Sequence, residues 1–170
     1  MLIQLDKCQL RSWSPEDADN LVKYANNANV ANNLRDGFPH PYTIADARSW
    51  LQKAICQDLE TIFAIATETE VIGGIGFAIG EDVHRKTAEL GYWLGEPFWG
   101  QGIVTQAVTA ITEFGFREFN LNRIYAEPYD YNTASCRVLE KAGFQLEGIM
   151  RKNVMKKGKV WDQRLYAITV

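Results

Sequence analysis

The sequence predicts an α+β domain, a mixed α/β fold around a central sheet of seven strands, and three observations carry that prediction. Short stretches of period-two apolar alternation are interleaved with longer stretches at helical spacing, in the order β-α-α-β-β-β-α-β-α-β-β. One clear strand–helix–strand unit, residues 89–129, calls for two parallel strands joined by a right-handed crossover. At 170 residues with 46% apolar side chains, the chain is long enough to bury a core as one domain, residues 1–170.

Residues 8–13 read as the first strand, with Cys8, Leu10 and Ser12 on one face and Gln9, Arg11 and Trp13 on the other. Ser14-Pro15-Glu16-Asp17 then opens a helix, with Ser14 as N-cap, Pro15 in the first turn and acids at the positive end. Ala18, Leu21, Val22 and Ala25 supply its apolar stripe, and the Asn-rich run 26–33 breaks it. Residues 34–42 form a loop stiffened by Pro39 and Pro41. Thr43-Ile44-Ala45-Asp46 has the form of a capping box opening a second helix to about Gln57. Residues 61–66 and 71–79 are strands joined by a turn at 68–70, and residues 87–94 are a third strand of this group. A long helix follows from Gly100 to about Phe119, then a strand at 122–129 and a helix at 132–142 that Gly143 ends. Strands at 144–155 and 160–170 close the fold as a hairpin turning at Lys157-Gly158.

The formal charge of −3 provides no broad basic face, so nucleic acid is not an expected partner. Lys156-Lys157-Gly158-Lys159 reads as a solvated turn. Cys8, Cys56 and Cys136 have neither CxxC nor Cys/His spacing, which predicts reduced thiols, no metal site and a cytoplasmic setting. No charged flank precedes a long apolar run, so neither a signal peptide nor a membrane partner is expected.

The most informative stretch is 89–105, ELGYWLGEPFWGQGIVT. A strand that feeds a helix through Gly-x-Gly presents unpaired N–H groups at a positive helix end, which attracts phosphate. A dinucleotide fingerprint would need a third glycine where Thr105 stands, and a P-loop would need Gly-Lys-Ser/Thr. Close helix–sheet packing is the other reading of Gly100 and Gly102.

Trp99-Gly100-Gln101-Gly102-Ile103-Val104 resembles the acetyl-CoA signature Gln/Arg-x-x-Gly-x-Gly/Ala of the GNAT N-acetyltransferase superfamily, with Trp99 in its first slot and Val104 in its last. The longer pattern E-L-G-Y-W-L-x-x-P-x-W-G-x-G is similar to the RimJ/RimL-like, ribosomal-protein N-acetyltransferase branch. So are residues 34–51 and 132–144, with Glu147-Gly148 after them. The resemblance implies the GNAT fold, with two parallel strands splayed around acetyl-CoA. It implies acetyl transfer to a primary amine of a protein N-terminus or a small molecule. The backbone of Tyr92, Trp93 and Leu94 would then bond the pantetheine amides. The N–H groups from Gly100 through Gln101, Gly102, Ile103 and Val104 to Thr105 would hold the pyrophosphate, with Asn132 and Ser135 on the next helix.

Acetyl transfer needs a neutral amine and a hydrogen bond for the departing thiolate. The candidate bases are Glu127 and Glu89, both in the parallel strands, and the alternative for each is a strand-rim carboxylate. Many relatives place a tyrosine seven residues after the asparagine, where this chain has Leu139; Ser135 takes that role by resemblance, with Tyr129 and Tyr131 as substitutes. Phe38, His40 and Tyr42 are the expected acceptor-pocket residues. A coenzyme-binding sensor without turnover is the alternative function, and either a monomer or a homodimer fits the closing hairpin.

Overall fold

A computed structural model describes all 170 residues, which divide into two compact units. The first comprises Met1–Gly76 and Tyr92–Ile103, the second Phe77–Gly91 and Val104–Val170. The strands are β1 (Leu2–Gln4), β2 (Gln9–Arg11), β3 (Ile62–Ala66), β4 (Val71–Ile79), β5 (Thr87–Leu94), β6 (Arg123–Ala126), β7 (Gln145–Lys156) and β8 (Lys159–Thr169). The helices are α1 (Ala18–Ala25), α2 (Ala28–Ala31), α3 (Ile44–Ile55), α4 (Ile103–Glu118) and α5 (Thr133–Lys141). Sheet order is β1-β2-β3-β4-β5-β6-β8-β7, so there are eight strands where seven were expected.

In the first unit the extra strand is β1, which pairs antiparallel with β2 from Leu2 opposite Arg11 to Gln4 opposite Gln9. The buried Asp17 carboxylate accepts from both terminal nitrogens of Arg11, at 2.9 and 2.7 Å, and from the Ser14 N–H at 2.9 Å. Those bonds fix a 3-10 turn, Pro15–Asp17, ahead of α1. The expected capping box at α3 is present: the Asp46 N–H donates to Thr43 Oγ1 at 3.2 Å and the Thr43 N–H to Asp46 Oδ2 at 2.8 Å. The Asn-rich run does more than end α1. Asn27 Oδ1 accepts from the Asn29 and Val30 N–H groups and caps the short α2. Trp13, Leu21, Tyr42, Ala47, Leu51 and Ala64 lie in one buried cluster, and Trp50 meets Trp13 edge-on at 4.7 Å.

In the second unit β5 and β6 run parallel, with Thr87, Ala88 and Glu89 opposite Arg123, Ile124 and Tyr125, as the strand–helix–strand unit requires. β6 stops at Ala126, three residues earlier than expected, and resumes only as an isolated bridge from Tyr129 to Gln163. Pro128 lies in that interval and brings no N–H to a ladder. The helix expected from Gly100 begins at Ile103, because Gly100 and Gly102 take φ of +73° and +79°. Gly143 ends α5 at φ +90°, and Lys157-Gly158, both at positive φ, turn the β7–β8 hairpin. No helix is long and apolar enough to cross a membrane.

Candidate active site

The phosphate-attracting turn is built from backbone. After β5 a short 3-10 turn, Glu96–Phe98, leads into Trp99, and Trp99 Nε1 donates back to the Leu94 carbonyl at 2.8 Å. Gln101 Nε2 reaches the Pro97 carbonyl at 3.2 Å. A Cβ added at Gly100 or Gly102 would meet no heavy atom within 4 Å, so the space above both is open. Ile103 is buried and anchors the first turn of α4; Val104 and Thr105 are half-buried. With left-handed glycines, open space and a 16-residue helix behind it, this turn fits a diphosphate.

Hydrogen-bond parity along β5 refines the expectation for 92–94. The Gly80 N–H bonds the Thr87 carbonyl at 2.8 Å and the Gly95 N–H bonds the Ile72 carbonyl at 2.7 Å. Both odd-numbered ends therefore turn towards β4. Because backbone polar groups alternate between strand edges, Trp93 also turns towards β4. Tyr92 and Leu94 present N–H and C=O to the opposite edge, and the Leu94 carbonyl already accepts from Trp99. Of the three residues expected to grip pantetheine, Trp93 is thus committed to the sheet. Its ring packs against Phe38 at 5.7 Å, and Phe38 lies 5.0 Å from Tyr42.

These three rings form one aromatic group beside the first unit's core. Tyr42 is only 4% exposed, so it is a wall of the core more than an open lining, and burial followed by Asp46 pushes its hydroxyl up to about 12. His40 is exposed and stands outside this group.

In the second unit, Asn132 caps α5. Its Oδ1 accepts the Ser135 N–H at 3.1 Å, which leaves its amide hydrogens as what it can offer a ligand. The cap brings Asn132 and Ser135 together through the serine's backbone N–H. Cys136 and Leu139 are buried on the same helix, and burial pushes the Cys136 thiol up, as suits a core residue. Glu89 is half-buried opposite Tyr125, on the less buried face shared with Arg123. Glu127 is half-buried just past the end of β6. Tyr129 is buried and stacks on Tyr131 at 5.2 Å. Burial, then Tyr129 and Asp130, pushes the Tyr131 phenol up to about 12, so it stays protonated at neutral pH and gives up its proton reluctantly.

Sequence reasoning missed Gln163. It is 4% exposed in β8, with Nε2 donating to the Glu127 carbonyl at 2.8 Å and Oε1 accepting from Asn153 Nδ2 at 2.7 Å. No local signal marks it, because burial along β8 does not alternate: Tyr166 and Ala167 are buried side by side.

The class of protein is an acyl-coenzyme-dependent transferase. The chain belongs to the acetyltransferase (GNAT) domain family, whose model matches residues 7–145. It is 34% identical to the N-acetyltransferase p20 of Bacillus licheniformis over 169 residues, covering 96% of this chain and 93% of that protein. It is 37% identical over 106 residues to the ribosomal-protein-serine acetyltransferase of Escherichia coli, covering 62% of this chain and 59% of that one. The microcin C7 self-immunity acetyltransferase MccE, solved with acetyl-CoA and AMP, superposes with a TM-score of 0.86 at 26% identity, covering 98% of this chain and 94% of that one. The family is an enzyme family, and the relatives agree with the RimJ/RimL-like branch expected from the three residue blocks.

Proposed function

We propose that the chain, working as one domain, transfers the acetyl group of acetyl-CoA directly to a primary amine, either a protein N-terminal α-amine or a small-molecule amine. The observation that carries this reading is the open turn at Gly100 and Gly102 ahead of α4, whose backbone fits the coenzyme diphosphate. Residues 100–105 hold that diphosphate, and Tyr92 and Leu94 offer backbone groups to the pantetheine arm. Asn132 donates its amide to the arm, and Ser135 hydrogen-bonds the departing sulfur. Glu127, with Glu89 as the second candidate, takes the amine proton, directly or through water.

The demand on that base depends on the acceptor. An α-amine of pKa ~8 is about one-tenth neutral at pH 7, which costs roughly 1.4 kcal/mol, whereas a lysine at ~10.4 costs about 4.6 kcal/mol. A half-buried carboxylate meets the first demand readily, which favours α-amines. The Escherichia coli relative named for ribosomal-protein serine supports the same choice. Purified protein is incubated with acetyl-CoA and a panel of N-terminal peptides and small amines while free thiol is followed. Thiol release with a matching acetylated product supports the reading. Tight coenzyme binding without release across the panel would favour a sensor instead.

A further inference from the structure

The loop carrying Glu127 and Asn132 is held from behind by the closing hairpin. Three bonds tie residues 127–130 to β8: Gln163 Nε2 to the Glu127 carbonyl at 2.8 Å, the Arg164 N–H to the Pro128 carbonyl at 3.0 Å, and the Asp130 N–H to the Asp162 carbonyl at 3.1 Å. Two of these come from the main chain and would survive almost any substitution. The third depends on one side chain, and Gln163 is buried.

What fixes that side chain lies in β7. Pairing of β7 with β8 loses register between Met150 and Val154, where Lys152 takes φ +52°. The bulge is pinned at two points. The Lys152 N–H donates to Asp162 Oδ1 at 2.8 Å, and Asn153 Nδ2 donates to Gln163 Oε1 at 2.7 Å. Asn153 thereby orients the Gln163 amide so that its nitrogen, not its oxygen, faces Glu127. A regular strand would point residue 153 elsewhere; bulges re-aim side chains in this way.

We propose that Gln163 is a positioning residue for acetyl transfer, set by Asn153 in the β7 bulge, and that it fixes where the Glu127 backbone leaves β6 and so where the Glu127 carboxylate stands. The inference rests on the transfer reading above. It gives the bulge a purpose and explains why a polar amide occupies an inward position of β8.

Three variants test it with the whole chain. Gln163→Met removes both side-chain bonds at nearly constant volume. Gln163→Glu keeps the acceptor for Asn153 but loses the donor to Glu127. Asn153→Ala alters only an exposed residue, so the protein keeps its fold. Saturating turnover and acetyl-CoA affinity are measured below the melting temperature of each variant. Both Gln163 variants should lose about tenfold or more in kcat with coenzyme affinity within about twofold, since small misplacements of reacting groups are costly. Asn153→Ala should lose about threefold, because an unfixed amide samples both orientations. Wild-type turnover in a folded Gln163→Glu protein, or parallel loss of affinity and kcat, overturns the proposal. A wild-type protein that turns over no amine refutes the transfer reading instead, and this proposal falls with it.

Discussion

Gly100 and Gly158 make a matched pair on which the diphosphate assignment can be tested. Both have φ +73°, and a Cβ at either would meet nothing within 4 Å. Alanine at a left-handed position costs about 1–2 kcal/mol of folding free energy whatever surrounds it. For a chain of this size that lowers the melting temperature by about 2–8 °C. Gly100→Ala and Gly158→Ala should therefore destabilise the free protein to a similar degree, and Gly102→Ala, at φ +79°, should join them.

Binding should separate them. On the proposed reading the diphosphate approaches the main chain at Gly100 and Gly102, so a methyl group there would force the phosphate outward. Losing one good hydrogen bond to a charged group costs about 1.5–3 kcal/mol, or about ten- to 150-fold in affinity. Gly158 lies in the hairpin turn and should leave affinity untouched. Calorimetric titration with coenzyme A, paired with thermal melts, reads both quantities on each variant. If all three variants lose the same stability and none loses affinity, the glycines serve only the bend of the chain, and the coenzyme lies elsewhere. Gly102→Asp should be more severe still, since its carboxylate would repel the diphosphate.

Ser135→Ala should lower kcat by about tenfold while acetyl-CoA affinity stays within about twofold, because the helix cap uses the Ser135 N–H and not its hydroxyl; equal loss of both would make the serine structural. Asn132→Ala, by contrast, should cost about 1 kcal/mol of stability as a lost N-cap, measurable by denaturant titration, while Asn132→Asp keeps the cap and tests the amide alone. Asp17→Ala should destabilise by about 3 kcal/mol, since it strands the Arg11 guanidinium and the Ser14 N–H; a change below about 1 kcal/mol would show that water replaces the carboxylate freely. Hydrogen bonds from Thr43 to Asp46, from Lys23 and Tyr24 to Glu70, and from Arg123 to Glu147 hold these three carboxyls below their usual range. Their folded pKa lies under the unfolded value of ~4, so their contribution is complete above about pH 5 and fades as pH falls through the folded pKa. Melting temperature should be level from pH 7 to about 5 and decline below it; a decline beginning near pH 6.5 would point to histidine instead.

The parts legible in the sequence are those set by local chemistry. The bounds of β4 and β5 follow from apolar runs edged by turn residues, and Thr43 and Asp46 announce α3 through their mutual bonds. The strand β1 was not legible. Its three residues carry no strong pattern and are strands only because β2 pairs with them. In sequence the Asn-rich run reads as a breaker because asparagine disfavours helix interiors, yet Asn27 caps a new turn by the same side-chain chemistry. In the site, the glycine turn and the Asn132 cap were visible as motifs. The commitment of Trp93 to β4 and the role of Gln163 depend on strand pairing between distant residues, and no local pattern encodes either.

This contrast bears on how such a chain can change acceptors while keeping its coenzyme. The proposed grip on the diphosphate and the pantetheine arm uses N–H and C=O groups at 100–105 and the even positions of β5. Their placement depends on two left-handed glycines and one indole bond, so most side chains in that stretch can vary if those three features persist. The amine side is different. A base such as Glu127 acts only where its backbone puts it, and the buried Gln163 amide and two main-chain bonds tie the segment that carries it to β8. The side chains of residues 34–42, expected to face the acceptor, belong to another part of the chain. Changing them leaves the Glu127 tether intact, so exchange of that loop should alter which amine is used before it alters how fast a good amine reacts.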